Sequence, residues 1–145
     1  LDFANQTLHT DIPQHATHSL IASITMGLGD TETAFSHLQT ALDMNTLYPD
    51  AHYLLALIHI KDNDPIAARN ALRAAIYCRP DFALAHLVSG DLFLSEGDNE
   101  RASRAWMTSR RFAAELPADV LLSDVSDTTA GQLLAEANIR LGNST

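Results

Sequence analysis

The chain has a single cysteine, no apolar run long enough to cross a membrane, and no basic residue in its first sixty positions. Cys78 cannot form an internal disulfide or a cysteine-rich zinc site, and its apolar helical surroundings predict an unreactive packed thiol. The longest uninterrupted apolar stretch, Tyr53 to Ile58, is far shorter than the ~20 residues of a membrane-spanning helix, and no basic-then-apolar leader opens the chain. We therefore expect a cytoplasmic protein without membrane insertion.

Basic residues are scarce overall as well. Nine Lys and Arg stand against eighteen Asp and Glu, which gives a formal net charge of −9. This excess of acid excludes a general affinity for nucleic acid and disfavours anionic membrane surfaces. A length of 145 residues with 46% apolar content fits one globular domain with a sizeable core.

A repeat of about 34 residues organises most of the chain. Three units cover residues 15–116, at 15–48, 49–82 and 83–116, after a lead-in segment at 1–14. Small residues recur at positions 8, 20 and 27 of each unit and a large one at position 24. Turn residues lie near the middle of each unit, with Gly and Asp in the first and third and Asp, Asn and Pro in the second. The short residues let two helices approach closely, so each unit is predicted to be a helix, a turn and a helix. The repeat signature comprises Ala22, Ala34, Leu38, Ala41, Leu55, Ala56, Ala68, Leu72, Ala75, Pro80, Gly90, Phe93, Gly97, Ala102 and Trp106.

The residues after the third unit predict a loop and one more helix. The third unit's second helix is expected to reach about Leu116, where Pro117 stops it. Residues 117–127 show no helical period, whereas 128–141 place apolar residues on one face, behind Thr129 and Gln132 at the spacing of a capping box. We expect this capping helix to cover the apolar flank of the last repeat.

The small and large residues at these positions resemble the tetratricopeptide repeat, or TPR, over residues 15–116. The resemblance implies an all-α, right-handed α-solenoid of three helix-turn-helix repeats plus a C-terminal capping helix. It also implies a protein-protein interaction module rather than an enzyme. Position 4 departs from the family pattern, because it carries His18, His52 and His86 where the family has large residues.

The C-terminal half supports a narrower resemblance. The strings at 79–86, 122–124 and 129–133 are similar to the repeat region appended to CheR-type chemotaxis methyltransferases, bacterial enzymes that methylate receptor glutamates with S-adenosylmethionine. The resemblance implies a regulatory segment whose partner is a chemoreceptor, a signalling protein or the enzyme's own catalytic domain. A start at Leu1 without methionine fits a fragment of such a parent, and the absence of a Gly-rich nucleotide loop predicts that the methyltransferase itself lies elsewhere. A free-standing TPR chaperone or scaffold for other bacterial proteins is the alternative.

The histidines and serines of the chain do not assemble into a predicted catalytic or metal site. The three position-4 histidines are expected on successive first helices about 10 Å apart, which is too far for a shared zinc ion with ligands at ~2.0–2.1 Å. Ser123 and Asp124 have no identifiable histidine partner. We therefore predict no catalytic residue, no metal and no cofactor, and expect the position-4 histidines to pack between helices.

The first helices of the repeats are predicted to line a concave groove through positions 2, 5, 9, 12 and 13. An apolar strip in this groove, rimmed by Asp50 and Asp91, would suit an amphipathic helix or extended peptide with basic residues. The acidic tails of heat-shock chaperones are improbable partners because the groove has only one base. The predicted groove residues are Ser19, Ser23, Met26, Asp50, Tyr53, Leu57, Ile60, Lys61, Leu84, Leu87, Asp91 and Leu94.

Two alternatives to an open groove remain. Part of the strip could be covered by residues 1–14 or by a segment before Leu1. The arginines of the second helices, such as Arg69 and Arg73, form either a solvated outer face or a docking surface for a covalently attached enzyme domain.

Overall fold

The computed structural model describes residues 12–142, so most of the lead-in segment 1–14, and any covering of the groove by residues 1–11, lies outside the described residues. Within residues 12–142 the chain forms seven helices and no strand, apart from an isolated bridge between Leu121 and Thr129. The helices are α1 (Gln14–Gly27), α2 (Thr31–Met44), α3 (Pro49–Lys61), α4 (Pro65–Cys78), α5 (Ala83–Ser95), α6 (Asn99–Ala114) and α7 (Ala130–Arg140).

Consecutive helices pack in pairs, α1 with α2, α3 with α4 and α5 with α6, and each pair contacts the next. This arrangement confirms the predicted all-α solenoid of helix-turn-helix units. Among the described residues, no helix has both the length and the apolar character that crossing a membrane requires.

The turn inside each pair has the same local chemistry three times. Asp30, Asp64 and Asp98 each begin a second helix by accepting a hydrogen bond from the backbone N–H three residues on. The residue before each aspartate has a positive φ, which is 85° at Gly29, 59° at Asn63 and 82° at Gly97. Gly and Asn tolerate this left-handed conformation best, so the sequence specifies the tight reversal locally.

The core follows the repeat positions. The large residues at position 24, Leu38, Leu72 and Trp106, are buried. So are the small residues at positions 8, 20 and 27, which are Ala22, Ala56, Gly90, Ala34, Ala68, Ala102, Ala41, Ala75 and Ser109. In the third unit the second helix ends at Ala114, two residues before the approximate end predicted at Leu116.

The last helix, α7, begins with a complete capping box. The Thr129 side chain accepts from the Gln132 backbone N–H, and the Gln132 side chain accepts from the Thr129 N–H. Ala130, Leu133 and Ala137 are buried, and α7 packs mainly on α6 and to a smaller extent on α5. The end of the repeat array is therefore covered.

Candidate functional site

The candidate site is the face formed by the first helices α1, α3 and α5, and much of it is closed. Tyr53, Leu84 and Leu87 are 7%, 4% and 4% exposed, so the expectation of an exposed apolar strip is wrong for these three residues. Ser19 is fully buried and Asp50 is 5% exposed, so Asp50 does not form an open rim. Leu57, Ser23 and Asp91 are half-buried.

The segment between α6 and α7, residues 117–129, closes part of this face, and we call it the groove loop. Its tip contacts three elements of the repeat array. The Ser23 hydroxyl on α1 donates to the Val125 carbonyl at 2.8 Å, and Ser123 donates to Asp50 Oδ2 on α3 at 3.0 Å. Arg79, directly after α4, donates to the Leu122 carbonyl at 3.2 Å. The loop thus binds residues from the first two repeat units.

The groove loop is a compact unit with its own hydrogen bonds. The Leu122 N–H donates to the Thr128 carbonyl at 3.1 Å, and the Ala130 N–H donates to the Val120 carbonyl at 2.8 Å. These bonds bring the two ends of the loop together, as in an Ω-loop. The side chains of Leu122 and Val125 are 3% and 6% exposed, so the tip contributes apolar as well as polar contacts.

Helix α7 covers a second part of the face through an ion pair. Arg140 donates from Nε to Asp91 Oδ1 at 2.7 Å and from Nη2 to Asp91 Oδ2 at 3.0 Å. Trp106 Nε1 also donates to Asp91 Oδ1 at 3.0 Å. The second predicted rim acid is therefore occupied by the chain itself. Burial, with the nearby charges of Glu136 and Asp91, raises the pKa of Tyr53 to about 12.

Burial shifts the pKa values of Asp50 and Tyr48, and two buried hydroxyl groups lack a hydrogen-bond partner among the described residues. Burial raises the pKa of Asp50 and the Asp124 charge adds to this rise, whereas the Ser123 hydrogen bond and the Arg79 charge oppose it. Burial also raises the pKa of Tyr48. The buried hydroxyls of Tyr48 and Ser19 have no hydrogen-bond partner among residues 12–142.

The groove remains accessible at the C-terminal ends of the first helices. Ile60 and Leu94, both at position 12, are 39% and 49% exposed. Lys61, the next residue after Ile60, is exposed. Met26, which stands at position 12 of the first unit, is half-buried. These residues form the open end of the groove.

The position-4 histidines have two different roles. The rings of His52 and His86 bond to the carbonyls of Thr46 and Pro80 at 2.8 and 2.9 Å, which ties each first helix to the end of the preceding unit. His18 instead faces His37, with the two Nδ1 atoms 2.8 Å apart. No group of three or more potential metal ligands occurs in the described part of the chain.

The arginines of the second helices lie among acids. Arg69 pairs with Glu96 of the next unit, and Arg104 lies 3.9 Å from Glu100. The side chains of both ion pairs are partly exposed to solvent, so each pair contributes little to stability. The face they form carries both signs of charge.

The sequence analysis did not predict the groove loop. The available signal was weak, because Leu122 and Val125 are two of several apolar residues in a segment without helical period. Their burial depends on contacts with residues far away in the sequence, such as Asp50, which lies 73 positions before Ser123.

Comparisons with known proteins agree with this fold. A family model described as the tetratricopeptide repeat matches residues 26–92. No curated protein matches the sequence. A solved structure titled "Crystal structure of MamA" is similar with a TM-score of 0.63 and 20% identity, over 97% of this chain and 75% of that chain. At this identity the likeness shows the fold alone. The family model covers just under half of the chain, and the helix pairs and buried repeat positions on either side of residues 26–92 follow the same pattern.

Proposed function

We propose that the chain is a protein-protein interaction module that binds a peptide or helix of its partner in the concave groove. The observation that carries this proposal is that the groove accepts a peptide already, in the form of the groove loop. Ser23 and Arg79 bind the backbone carbonyls of Val125 and Leu122, and contacts to backbone atoms can be made to many sequences.

The charge of the groove favours a partner segment with basic residues. Asp50 lies on this face behind the groove loop, while Asp91 is paired with Arg140. Lys61 is the one base among the predicted groove residues, and residues 1–60 have no Lys or Arg. Opposite charges on the two partners accelerate association and select against acidic competitors. An amphipathic helix or an extended peptide with lysine or arginine fits this chemistry.

The test is a binding titration of the full chain with a labelled amphipathic peptide of leucine and lysine, followed by fluorescence anisotropy. A double variant, Ile60→Ser with Leu94→Ser, changes the open end of the groove and is called the groove variant. Ile66→Ser with Met107→Ser alters exposed apolar residues of α4 and α6 and keeps the same net charge. We expect about a tenfold loss of affinity for the groove variant, since two apolar contacts are removed.

The control variant is expected to bind like the wild type. Equal binding by all three proteins would contradict a site at the open end of the groove. A loss confined to the control would contradict the groove and place binding on the outer second helices.

We further propose that the chain is the regulatory repeat portion of a CheR-type chemoreceptor methyltransferase, with a chemoreceptor, a signalling protein or the catalytic domain as partner. The support is the resemblance of the strings at 79–86 and 122–133, and the second of these strings forms much of the groove loop and the start of α7. No catalytic role is proposed for this segment itself.

The methyltransferase context is tested by reading the gene upstream of Leu1. About 200 further codons that encode a strand followed by a Gly-rich nucleotide-binding turn are expected. An initiator methionine a few codons upstream would contradict this parent and would favour the free-standing TPR scaffold.

A further inference from the structure

We propose that the groove loop is a displaceable internal ligand, and that a partner segment with a basic side chain takes its place by pairing with Asp50. This inference rests on the proposed function, because it concerns the same groove. It adds the residue that selects the partner and the part of the chain that must move.

The groove loop places an acid beside Asp50 of its docking site. Residues 117–129 contain three acids, Asp119, Asp124 and Asp127, and no base. The loop tip contacts one acid and one base of the repeat array, Asp50 and Arg79, and the Asp124 charge opposes ionisation of Asp50. Like charges at a docking site lower its affinity, so the chain holds its own loop less tightly than it would hold a basic segment of the same shape.

Asp50 is the acid that gains from an exchange of ligands, because it is buried beside the loop tip. Its carboxyl group is 5% exposed and accepts a hydrogen bond from the neutral hydroxyl of Ser123. Arg79 forms its ion pair with Asp81, at 3.7 Å, and acts on Asp50 through its charge without a direct hydrogen bond. A lysine ammonium in the place of the Ser123 hydroxyl would make a charge-assisted hydrogen bond, which is shorter and stronger than a neutral one.

The surroundings of Asp50 also leave donors and acceptors for an incoming segment. The hydroxyl of Tyr48, two residues before Asp50, is buried without a hydrogen-bond partner among residues 12–142, and the charges of Asp50 and Asp124 act on it. Buried polar groups without partners raise the free energy of a state. The docked position of the groove loop therefore leaves part of the site unmatched.

The loop can leave the groove while the repeats and α7 stay in place. Three hydrogen bonds join its tip to the repeat array, from Ser23, Ser123 and Arg79, together with the buried side chains of Leu122 and Val125. Helix α7 is held separately by its packing on α6 and by the Arg140 pair with Asp91. Release of the tip therefore does not require the end cap to unfold.

The segment that replaces the tip has a definite pattern. It needs an apolar residue in the place of Leu122, a basic residue in the place of Ser123, and a second apolar residue in the place of Val125. An extended stretch with a basic residue beside an apolar one, and another apolar residue two positions further on, satisfies this pattern.

The test of partner selection uses two synthetic peptides and the full chain. One peptide has the sequence of residues 117–129, and the other carries Ser123→Lys, Asp124→Asn and Asp127→Asn. At physiological salt we expect the basic peptide to bind about tenfold more tightly, the lower range of coupling between close charges in an interface. Asp50→Asn is expected to abolish this advantage, whereas Asp43→Asn, an exposed acid on α2, keeps it. Equal affinities for the two peptides would overturn the proposal.

The test of displacement is a disulfide that locks the loop. Ser23→Cys and Val125→Cys, in a Cys78→Ser background, join the residues that are linked by a 2.8 Å hydrogen bond. We expect the oxidised protein to lose binding of the basic loop peptide and the reduced protein to retain it. Equal binding by both forms would overturn displacement, yet it would leave a groove that binds peptides. Failure of the wild type to bind either this peptide or the leucine-lysine peptide would instead overturn the proposed function.

Discussion

At the scale of single residues, positions 8 and 24 of each repeat form a size-matched pair. Units one and two combine Ala22 with Leu38 and Ala56 with Leu72. The third unit combines Gly90 with Trp106, and a Cβ added to Gly90 would lie inside the contact distance of the Trp106 indole and 3.0 Å from the Ala102 carbonyl. The larger partner is therefore accommodated by the removal of a single carbon atom.

This pairing predicts the effect of Gly90→Ala. Overpacking against the indole is expected to lower the free energy of unfolding by about 1–3 kcal/mol, although Ala favours a helix over Gly by up to ~1 kcal/mol. The double variant with Trp106→Leu recreates the pair of the other two units and should be more stable than the sum of the single variants implies. Urea denaturation of the two single variants and the double variant measures this coupling. Additive effects would contradict a steric pair.

The buried carboxyl group of Asp50 makes a second prediction, on pH. Burial raises its pKa in the folded state, so the folded chain favours the protonated form, and the stability that this form contributes is lost as pH rises through the folded pKa. Asp50→Asn removes the charge at every pH. The variant should therefore melt at a higher temperature than the wild type at pH 7, and the difference should shrink toward pH 4. Thermal denaturation at both pH values measures this difference, with Asp43→Asn as the exposed control. An Asp50→Asn variant less stable than the wild type at pH 7 would contradict the prediction.

At the scale of elements, the helix pairs could be predicted because their signals are local. Gly29, Asn63 and Gly97 supply the left-handed turn residue, and the aspartate after each one caps the next helix. The start of α7 is equally local, since Thr129 and Gln132 are three residues apart. The groove loop could not be predicted in this way, because its docking depends on partners more than forty positions away. The burial of Tyr53 was unpredictable from the repeat pattern for a similar reason, because its ring packs on Phe82 and lies near Glu136 of α7.

The capping box of α7 allows a test at this scale. Thr129→Ala removes the oxygen that accepts from the Gln132 N–H and should lower the free energy of unfolding by about 1 kcal/mol. Thr129→Ser keeps the hydroxyl and serves as the matched control. Urea denaturation followed by far-ultraviolet circular dichroism compares the two variants. A serine variant as unstable as the alanine variant would show that the threonine methyl group, rather than the cap, is what matters.

At the scale of the whole molecule, the groove loop changes how the repeats depend on one another. In a simple solenoid each repeat contacts its neighbours alone, so the first unit and the C-terminal segment would be energetically remote. Here the Ser23 hydroxyl binds the Val125 carbonyl across 102 positions of sequence. The loop also binds α3 and the end of α4 through Asp50 and Arg79. The docked loop therefore couples the first repeat to the last one, and its release by a partner would loosen that coupling.

This coupling predicts that Val125→Ala affects the first repeat more than its own position in the chain suggests. Val125 is 6% exposed, and loss of its buried methyl groups should cost about 1–3 kcal/mol of stability. We expect the amides of α1 and α2 to lose protection from hydrogen exchange, while those of α5 and α6 lose less. Val120→Ala, at a 37% exposed position of the same loop, is the matched control and should leave all four helices unchanged. Undiminished protection of α1 and α2 in Val125→Ala would mean that the first repeat is stable without the loop.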